Sequence, residues 1–141
     1  MPTPRPTLAS ELRRALGRAH RRLRLEVGDA ELSYPQFSAL TVLMREGPMT
    51  PGRLAEHERV QPPTMTRTVS CLAELGLVTK TPDPNDGRQV VVALTPAGVA
   101  EVTETRRRRD AWLNSRLARL TAEDRDVLAR AAQLLREMAD S

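Results

Sequence analysis

Residues Gln61–Leu94 read QPPTMTRTVSCLAELGLVTKTPDPNDGRQVVVAL, and this stretch decides the fold of the 141-residue chain. Two prolines open an amphipathic helix, which is predicted to end at Gly76. Two runs with strand character follow, Leu77–Thr81 and Gln89–Leu94, and the Asp-Gly dipeptide between them predicts a hairpin turn, because glycine accepts a positive φ. The stretch therefore predicts a helix followed directly by a two-stranded ribbon.

Two further helices are predicted before this stretch. Ser33 is followed by a proline and by Gln36, which is the pattern of a capping box, and the helix that it opens is apolar on more than one side and so central to the core. Thr50 caps a short helix, Pro51–Glu58, and a turn at 59–61 follows. A short helix, a tight turn and a longer helix make a helix-turn-helix, to which the ribbon adds a wing.

Longer helices flank this region. One is predicted from about Leu8 to Val27, one from Pro96 to about Leu120, and one after a capping box at Thr121–Asp124. Three such helices from one chain bury little by themselves, so we expect them to pair with the same helices of a second chain in a homodimer. The apolar stripes of the first and last helices are Leu8, Leu12, Ala15, Leu16, Ala19 and Leu23, and Val127, Leu128, Ala131, Leu134, Leu135 and Met138.

Several classes of protein are disfavoured by composition. No apolar run of about 18 residues and no signal peptide occur, so we expect no membrane span and a cytoplasmic location. Cys71 is the only cysteine, which excludes an intrachain disulfide and a cysteine-based zinc cluster and leaves a redox role open. His20 and His57 lie on different predicted helices without metal-binding spacing. We therefore expect no metal, no cofactor and no enzymatic activity.

Charge placement matters more than the net charge of +4. Residues 51–90 carry five basic and five acidic side chains, so the central stretch is not basic as a whole. The first helix instead has an outer face of arginines, which is either a solvated surface or a site for acidic partners or anions. Arg106–Arg109 interrupt the helix after Pro96, and they form either a solvated span or a contact for phosphates or for an acidic effector.

One face of the helix that starts at Pro62 is suited to DNA. At about 100° per residue, Met65, Val69 and Leu72 share the buried side. The residues expected to reach DNA from the outward face, its border and the preceding turn are Thr64, Arg67, Thr68 and Gln61. The N-terminal part of the second helix of a helix-turn-helix reaches base edges in the major groove, where arginine can donate twice to guanine. The alternative is an exposed polar helix face.

The predicted wing places a cation on a narrow ribbon. Arg88 comes two residues after Asp86, so the carboxylate can bond the guanidinium and hold it extended. An arginine held in this way suits the minor groove, where the potential is most negative at A-tracts. The alternative is a local salt bridge that only stiffens the turn.

The predicted fold is thus mainly α with a small β-hairpin wing. Residues 33–95 are expected to form a winged helix-turn-helix DNA-binding domain, and residues 1–32 and 96–141 a helical dimerisation region. A two-fold dimer presents two copies of the DNA-facing helix. If the copies are about 34 Å apart, the target in double-stranded DNA is a pseudo-palindrome with half-sites one helical turn apart.

The segments PPTMTRTVSCLAELGLV and DPNDGRQVVVALTPAG, with their spacing, resemble the MarR family of transcriptional regulators over nearly all of the chain. The resemblance implies a homodimer that represses transcription and is released by a small-molecule effector or by thiol oxidation. By motif position, Pro63, Thr64 and Arg67 match DNA-contacting helix residues, and Asp86 and Arg88 match the wing pair. The family often has Arg or Lys where this chain has Gly87.

The resemblance also implies an effector pocket between the dimerisation helices and the winged helix. Arg18, His20 and Trp112 are candidates to line it, and the effector is unknown. The alternative function is a non-repressing architectural DNA-binding or protein-interaction module, which would show weak sequence preference.

Overall fold

The computed structural model describes residues 1, 3–25 and 32–141. Within this part of the chain, the mainly α fold with one β-hairpin is confirmed. The predicted end of the first helix at Val27 lies outside the described residues. The elements are α1 (Leu8–Leu25), α2 (Tyr34–Glu46), α3 (Pro51–Glu58), α4 (Pro62–Glu74), β1 (Val78–Pro82), β2 (Val90–Leu94), α5 (Pro96–Leu117) and α6 (Ala122–Ala139).

The chain divides into two compact units. Residues 27–107 form one unit, and residues 1–26 and 108–141 form the other, so α5 contributes residues to both. The first half of α5 belongs to the 27–107 unit because Val102 and Thr105 are buried. The dimerisation role predicted for residues 1–32 and 96–141 stays a prediction.

The core of the 27–107 unit is built around α2. This helix is apolar on several sides, and Leu40 and Ala39 are fully buried, which confirms its predicted central position. Leucine and valine supply most of the remaining core. These further core residues are Phe37, Val42, Leu43, Met49, Leu54, Ala55, Met65, Val69, Leu72, Val78, Val92 and Val102.

Local caps start the helices where the sequence predicts them. The hydroxyl of Ser33 accepts the N–H of Gln36, and the side chain of Gln36 accepts the N–H of Ser33, which completes the predicted capping box. Thr50 caps α3 by accepting the N–H of Arg53. These contacts use backbone donors that the helix itself leaves unpaired.

The β-hairpin is antiparallel, with Val78 opposite Leu94 and Pro82 opposite Val90. Each strand lies within one residue of its predicted position. Met49 adds a short third partner that the sequence did not predict, because its N–H and C=O both bond Val92, at 3.1 and 2.8 Å. This bridge ties the segment between α2 and α3 to the base of the wing.

Helices α1 and α6, in the other unit, have no buried residue among those that the structure describes. Their predicted stripes remain solvent-facing in the single chain, with Leu8 70%, Val127 65% and Met138 64% exposed.

The turn between α5 and α6 differs in detail from the prediction. Helix α5 ends at Leu117, earlier than predicted, because Leu120 donates to Leu117 in a tighter turn and Arg125 donates to the carbonyl oxygens of both residues. At Thr121, the hydroxyl accepts the N–H of Asp124, which is the forward half of the predicted capping box.

Candidate nucleic-acid interface

Helix α4 has the two faces that its sequence predicts. Met65, Val69 and Leu72 are at most 2% exposed and fix the helix against the core. The candidate DNA-contacting side chains of α4 lie on the other side. Gln61, Pro63, Thr64 and Arg67 are exposed, and Thr68 at the border is half-buried.

The N-terminus of α4 offers few amides to a phosphate. Gln61 occupies the N-cap position without a capping bond from its side chain to the described chain. Pro62 and Pro63 follow, and proline has no N–H to donate. The N–H of Thr64 is therefore the donor that these first helical positions retain, so phosphate affinity must come mainly from side chains.

Two hydroxyls of α4 are engaged within the helix. Thr66 donates to the carbonyl oxygen of Pro62 at 3.0 Å, and Thr68 donates to that of Thr64 at 3.1 Å. A threonine whose proton is held in this way presents only acceptor lone pairs and its methyl group. Thr68 can thus accept a hydrogen bond from a base amino group or contact a thymine methyl, but it cannot donate while this bond persists.

The turn between α3 and α4 contains a strained residue. Arg59 ends α3 with φ 54° and ψ 44°, a left-handed conformation that is uncommon for a side chain other than glycine. Its N–H bonds the carbonyl oxygens of Ala55 and Glu56, which closes the last turn of α3. This tight closure lets α4 begin three residues later.

Asp86 in the wing does not make the predicted bond to the guanidinium of Arg88. Its carboxylate accepts the backbone N–H of Arg88 at 3.1 Å rather than pairing with the guanidinium. The turn is closed further by the bond from the N–H of Gln89 to the carbonyl oxygen of Asp86, at 3.0 Å. Asp86 therefore shapes the backbone, and the exposed guanidinium of Arg88 has no ion-pair partner in the described chain.

Gly87 was expected to provide a positive φ in this turn, and that expectation is wrong. Among the described residues, the glycines with positive φ are Gly47 and Gly76. A Cβ built on Gly87 meets no atom within 4 Å. The wing tip thus has room for a side chain, and its backbone does not require glycine.

Thr95 and Gly98 join α5 to the base of the wing, a role that the sequence prediction missed. The Thr95 hydroxyl donates to the carbonyl oxygen of Gly76 at 2.6 Å and accepts the N–H of Gly98 at 3.1 Å. A Cβ at position 98 would collide with the carbonyl oxygen of Leu77. The available signal was a glycine in the first turn of a helix, where glycine is unfavourable unless a close approach requires it.

The candidate effector residues all lie in the unit of residues 1–26 and 108–141. Arg18 and His20 are exposed on α1. Trp112 on α5 is half-buried, and the guanidinium carbon of Arg116 lies 5.3 Å from its ring centroid, within cation–π range. The Trp112 Nε1 atom is shielded from solvent and has no hydrogen-bond partner in the described chain.

Two arginines of the run in α5, Arg106 and Arg107, contact other side chains. Arg107 donates to both carboxylate oxygens of Glu104, at 2.8 and 2.9 Å, and these bonds raise the pKa of Arg107 above its ordinary value. Arg106 contacts the sulfur of Met44 at 3.6 Å.

Other site classes have little support in the described chain. Cys71 is exposed as a free thiol on α4. The described residues hold no group of three or more His, Cys, Asp or Glu side chains placed to bind a metal ion. None of the described helices is both long enough and apolar enough to cross a membrane.

The comparisons with known proteins agree with this geometry. Residues 32–90 match the MarR family. An HTH-type transcriptional regulator of Mycobacterium tuberculosis is 47% identical over 133 residues, which cover 94% of this chain and 93% of that protein. The chain belongs to the MarR family. The solved structure of a MarR family protein from Bacillus stearothermophilus is similar to it, with a TM-score of 0.82, 25% identity and coverage of 95% of this chain and 94% of that chain.

A second similar structure is that of a protein whose DNA binding is regulated by a small molecule. BpsR of Bordetella bronchiseptica matches this MarR family chain with a TM-score of 0.71 and 26% identity, over 100% of this chain and 99% of that chain. The DNA binding of BpsR is regulated by 6-hydroxynicotinic acid. Membership of the family makes the present chain a DNA-binding transcriptional regulator.

Proposed function

We propose that this MarR family protein is a repressor that binds a pseudo-palindromic operator as a homodimer and leaves it when a small molecule binds. The observation that carries the proposal is the exposed polar face of α4 beside a wing whose arginine is unpaired. Arg67 and Thr64 lie on that face, and Arg88 lies on the wing. A dimer seated on a promoter in this way blocks transcription.

Each candidate residue has a distinct part in DNA recognition. Arg67 donates to guanine in the major groove, and Thr68 accepts from a base amino group or contacts a thymine methyl. Gln61, Pro63 and Thr64 approach the same groove edge from the start of α4. Arg88 enters the minor groove, and Asp86 holds the turn from which Arg88 projects.

The dimer is supported by the uncovered apolar stripes of α1 and α6. Large apolar side chains in a contiguous exposed stripe mark an interaction surface. Two protomers supply two copies of α4, which makes the few base contacts of each sufficient for a specific site.

The effector is proposed to bind near Trp112, with Arg18 and His20 as further lining residues. The shielded Nε1 atom of Trp112 is a donor for an acceptor atom of a ligand. BpsR suggests an aromatic acid as a first probe. We assign the protein no catalytic role and no cofactor, and we place it in the cytoplasm.

DNase I footprinting of the promoter beside its own gene tests this function. We expect one protected region with two-fold sequence symmetry, which is lost with Arg67→Ala and shrinks when 6-hydroxynicotinic acid or a related aromatic acid is added. Trp112→Leu should keep the footprint and abolish its response to the acid. A diffuse pattern without a protected palindrome would favour the architectural alternative.

A further inference from the structure

The positive charge of this protein is concentrated on α1. Residues Leu8–Leu25 contain six arginines and one glutamate, a net charge of +5, whereas the whole chain has +4. The remainder of the chain therefore has a net charge of −1. Residues 51–90, which contain α3, α4 and the wing, have a net charge of zero.

Three of these arginines form a line on α1. Arg14, Arg18 and Arg21 follow one another at steps of four and three, so they share one face and span roughly 10 Å along the axis. All three side chains are exposed. They lie away from the Leu-rich stripe of the same helix. We call these three residues the arginine face.

The arginine face has no ion-pair partner among the described residues. Glu11 is the single acid of α1, and it lies in the first turn. Two arginines of the later helices are engaged instead: Arg107 pairs with Glu104, and Arg125 donates to backbone carbonyl oxygens. The charge of the arginine face is thus available to an external anion.

We propose that the arginine face is a second DNA-contacting surface, which binds backbone phosphates of duplex DNA independently of sequence. Most non-specific affinity for DNA comes from arginine and lysine neutralising phosphates. In the α3–α4–wing region five acidic side chains balance the five basic ones, whereas α1 has six arginines and one glutamate. The proposal rests on DNA binding by this protein, and it does not depend on repression or on effector release.

The composition of the surface favours DNA over an acidic protein. Protein–protein interfaces are centred on apolar and aromatic side chains, whereas protein–DNA interfaces are polar and strongly positive. Between Arg14 and Arg21, the apolar side chains point into the stripe on the opposite side, and the position beside the arginines is Gly17. The arginine face has cations without an apolar anchor.

The test compares two charge-matched variants of the full-length protein. One carries Arg14→Gln, Arg18→Gln and Arg21→Gln on α1. Both variants are measured without an effector, because Arg18 is also proposed to line the effector site. The control carries Arg119→Gln, Arg130→Gln and Arg136→Gln, which removes the same charge from the α5–α6 turn and α6. Glutamine keeps a long side chain and a good helix propensity. Affinity for a random-sequence duplex and for the footprinted site is measured over a series of salt concentrations, with circular dichroism to verify folding.

We expect the α1 variant to lose at least tenfold in affinity for both duplexes at low salt, with an unchanged ratio between them. The slope of log K against log salt should fall in magnitude by about 0.9 for each phosphate contact removed, or about 2 to 3 per chain. The control should keep the wild-type slope. These results would support the arginine face as a phosphate-binding surface.

Equal slopes and affinities for wild type and the α1 variant would overturn the proposal and leave an acidic protein or solvent as the occupant. Equal losses in both variants would also overturn it, because net charge alone would then explain the effect. Failure of the proposed function has another signature, since wild type would then show no preference for the footprinted site over random DNA. Arg67→Ala should lower that preference and change the slope by at most about one.

Discussion

In the unit formed by residues 27–107, the large apolar side chains of α2 and α4 are buried against one another, as Leu40 and Leu72 at 0% exposure illustrate. Helices α1 and α6 carry equally regular apolar stripes, yet no described residue of either is buried. The same aliphatic periodicity therefore has two meanings. In the first region it closes a core within one chain, and in the second it leaves an exposed surface, which we propose to pair with a second copy.

The two regions should respond oppositely to an added methyl group. Gly98→Ala drives a Cβ into the backbone of Leu77, and we expect a loss of about 3 kcal/mol or more in the free energy of unfolding. Gly17→Ala is the matched change on α1, where the Cβ would meet only the flexible end of Arg21 at 3.5 Å. It should stabilise by about 0.5 to 1 kcal/mol, because alanine favours a helix over glycine.

Urea denaturation at one fixed protein concentration measures both changes, since stability of a dimer depends on concentration. A Gly98→Ala protein as stable as wild type would show that α5 does not rest on the base of the wing.

A charge placed in the α6 stripe tests directly whether this stripe is a dimer surface. Val127 is 65% exposed in the single chain, so Val127→Glu should leave the 27–107 core folded. In a dimer the same carboxylate would be buried without a partner, so the protein should become monomeric and lose about 100-fold in operator affinity, or about 2.7 kcal/mol. Sedimentation equilibrium and operator titration measure the two effects. Ala129→Glu, on the polar side of α6, is the control, and it should change neither the oligomeric state nor the operator affinity.

Arg67 tests the DNA-facing side of the first region. Arg67→Ala should weaken binding to the specific site by about 1 to 3 kcal/mol and relax the base choice at the contacted position. Arg67→Lys is the charge-matched control, because lysine keeps the charge and loses the bidentate geometry. Arg67→Lys should bind random DNA as wild type does, but it should not regain the base preference of wild type. Competition titrations with single-base operator variants report both quantities.

The wing should show the smallest effects. Arg88→Ala is expected to weaken binding most on operators with A·T-rich flanks, where the minor groove is most negative. Gly87→Lys places a cation at an open position and should steepen the salt slope by about 0.9 per added phosphate contact. Gly87→Ala is its control and should bind as wild type does. A Gly87→Lys slope equal to wild type would mean that the wing tip lies away from the phosphates.

The sequence predicts those features that depend on neighbours along the chain. The caps at Ser33 and Thr50 and the buried side of α4 follow from spacing alone, and the structure confirms them. The Asp86 contact is also local, but its choice of the backbone N–H over the guanidinium depends on the shape of the turn.

Contacts between distant segments were not predictable from spacing. Met49 pairs with Val92 and Gly98 packs against Leu77 only because the fold brings these segments together. The neutral charge of residues 51–90 and the arginines of α1 were visible in the sequence. Their exposure, and the absence of an ion pair for Arg14, Arg18 and Arg21 among the described residues, required the structure.

We propose that two copies of this chain bind two half-sites together. The most direct measurement compares the affinity of wild type for the footprinted operator with its affinity for the same duplex after half a helical turn of DNA has been inserted between the half-sites. A joined pair of α4 helices cannot reach both half-sites of the altered duplex, so we predict that affinity falls to that of a single half-site. Equal affinity for the two duplexes would contradict the account.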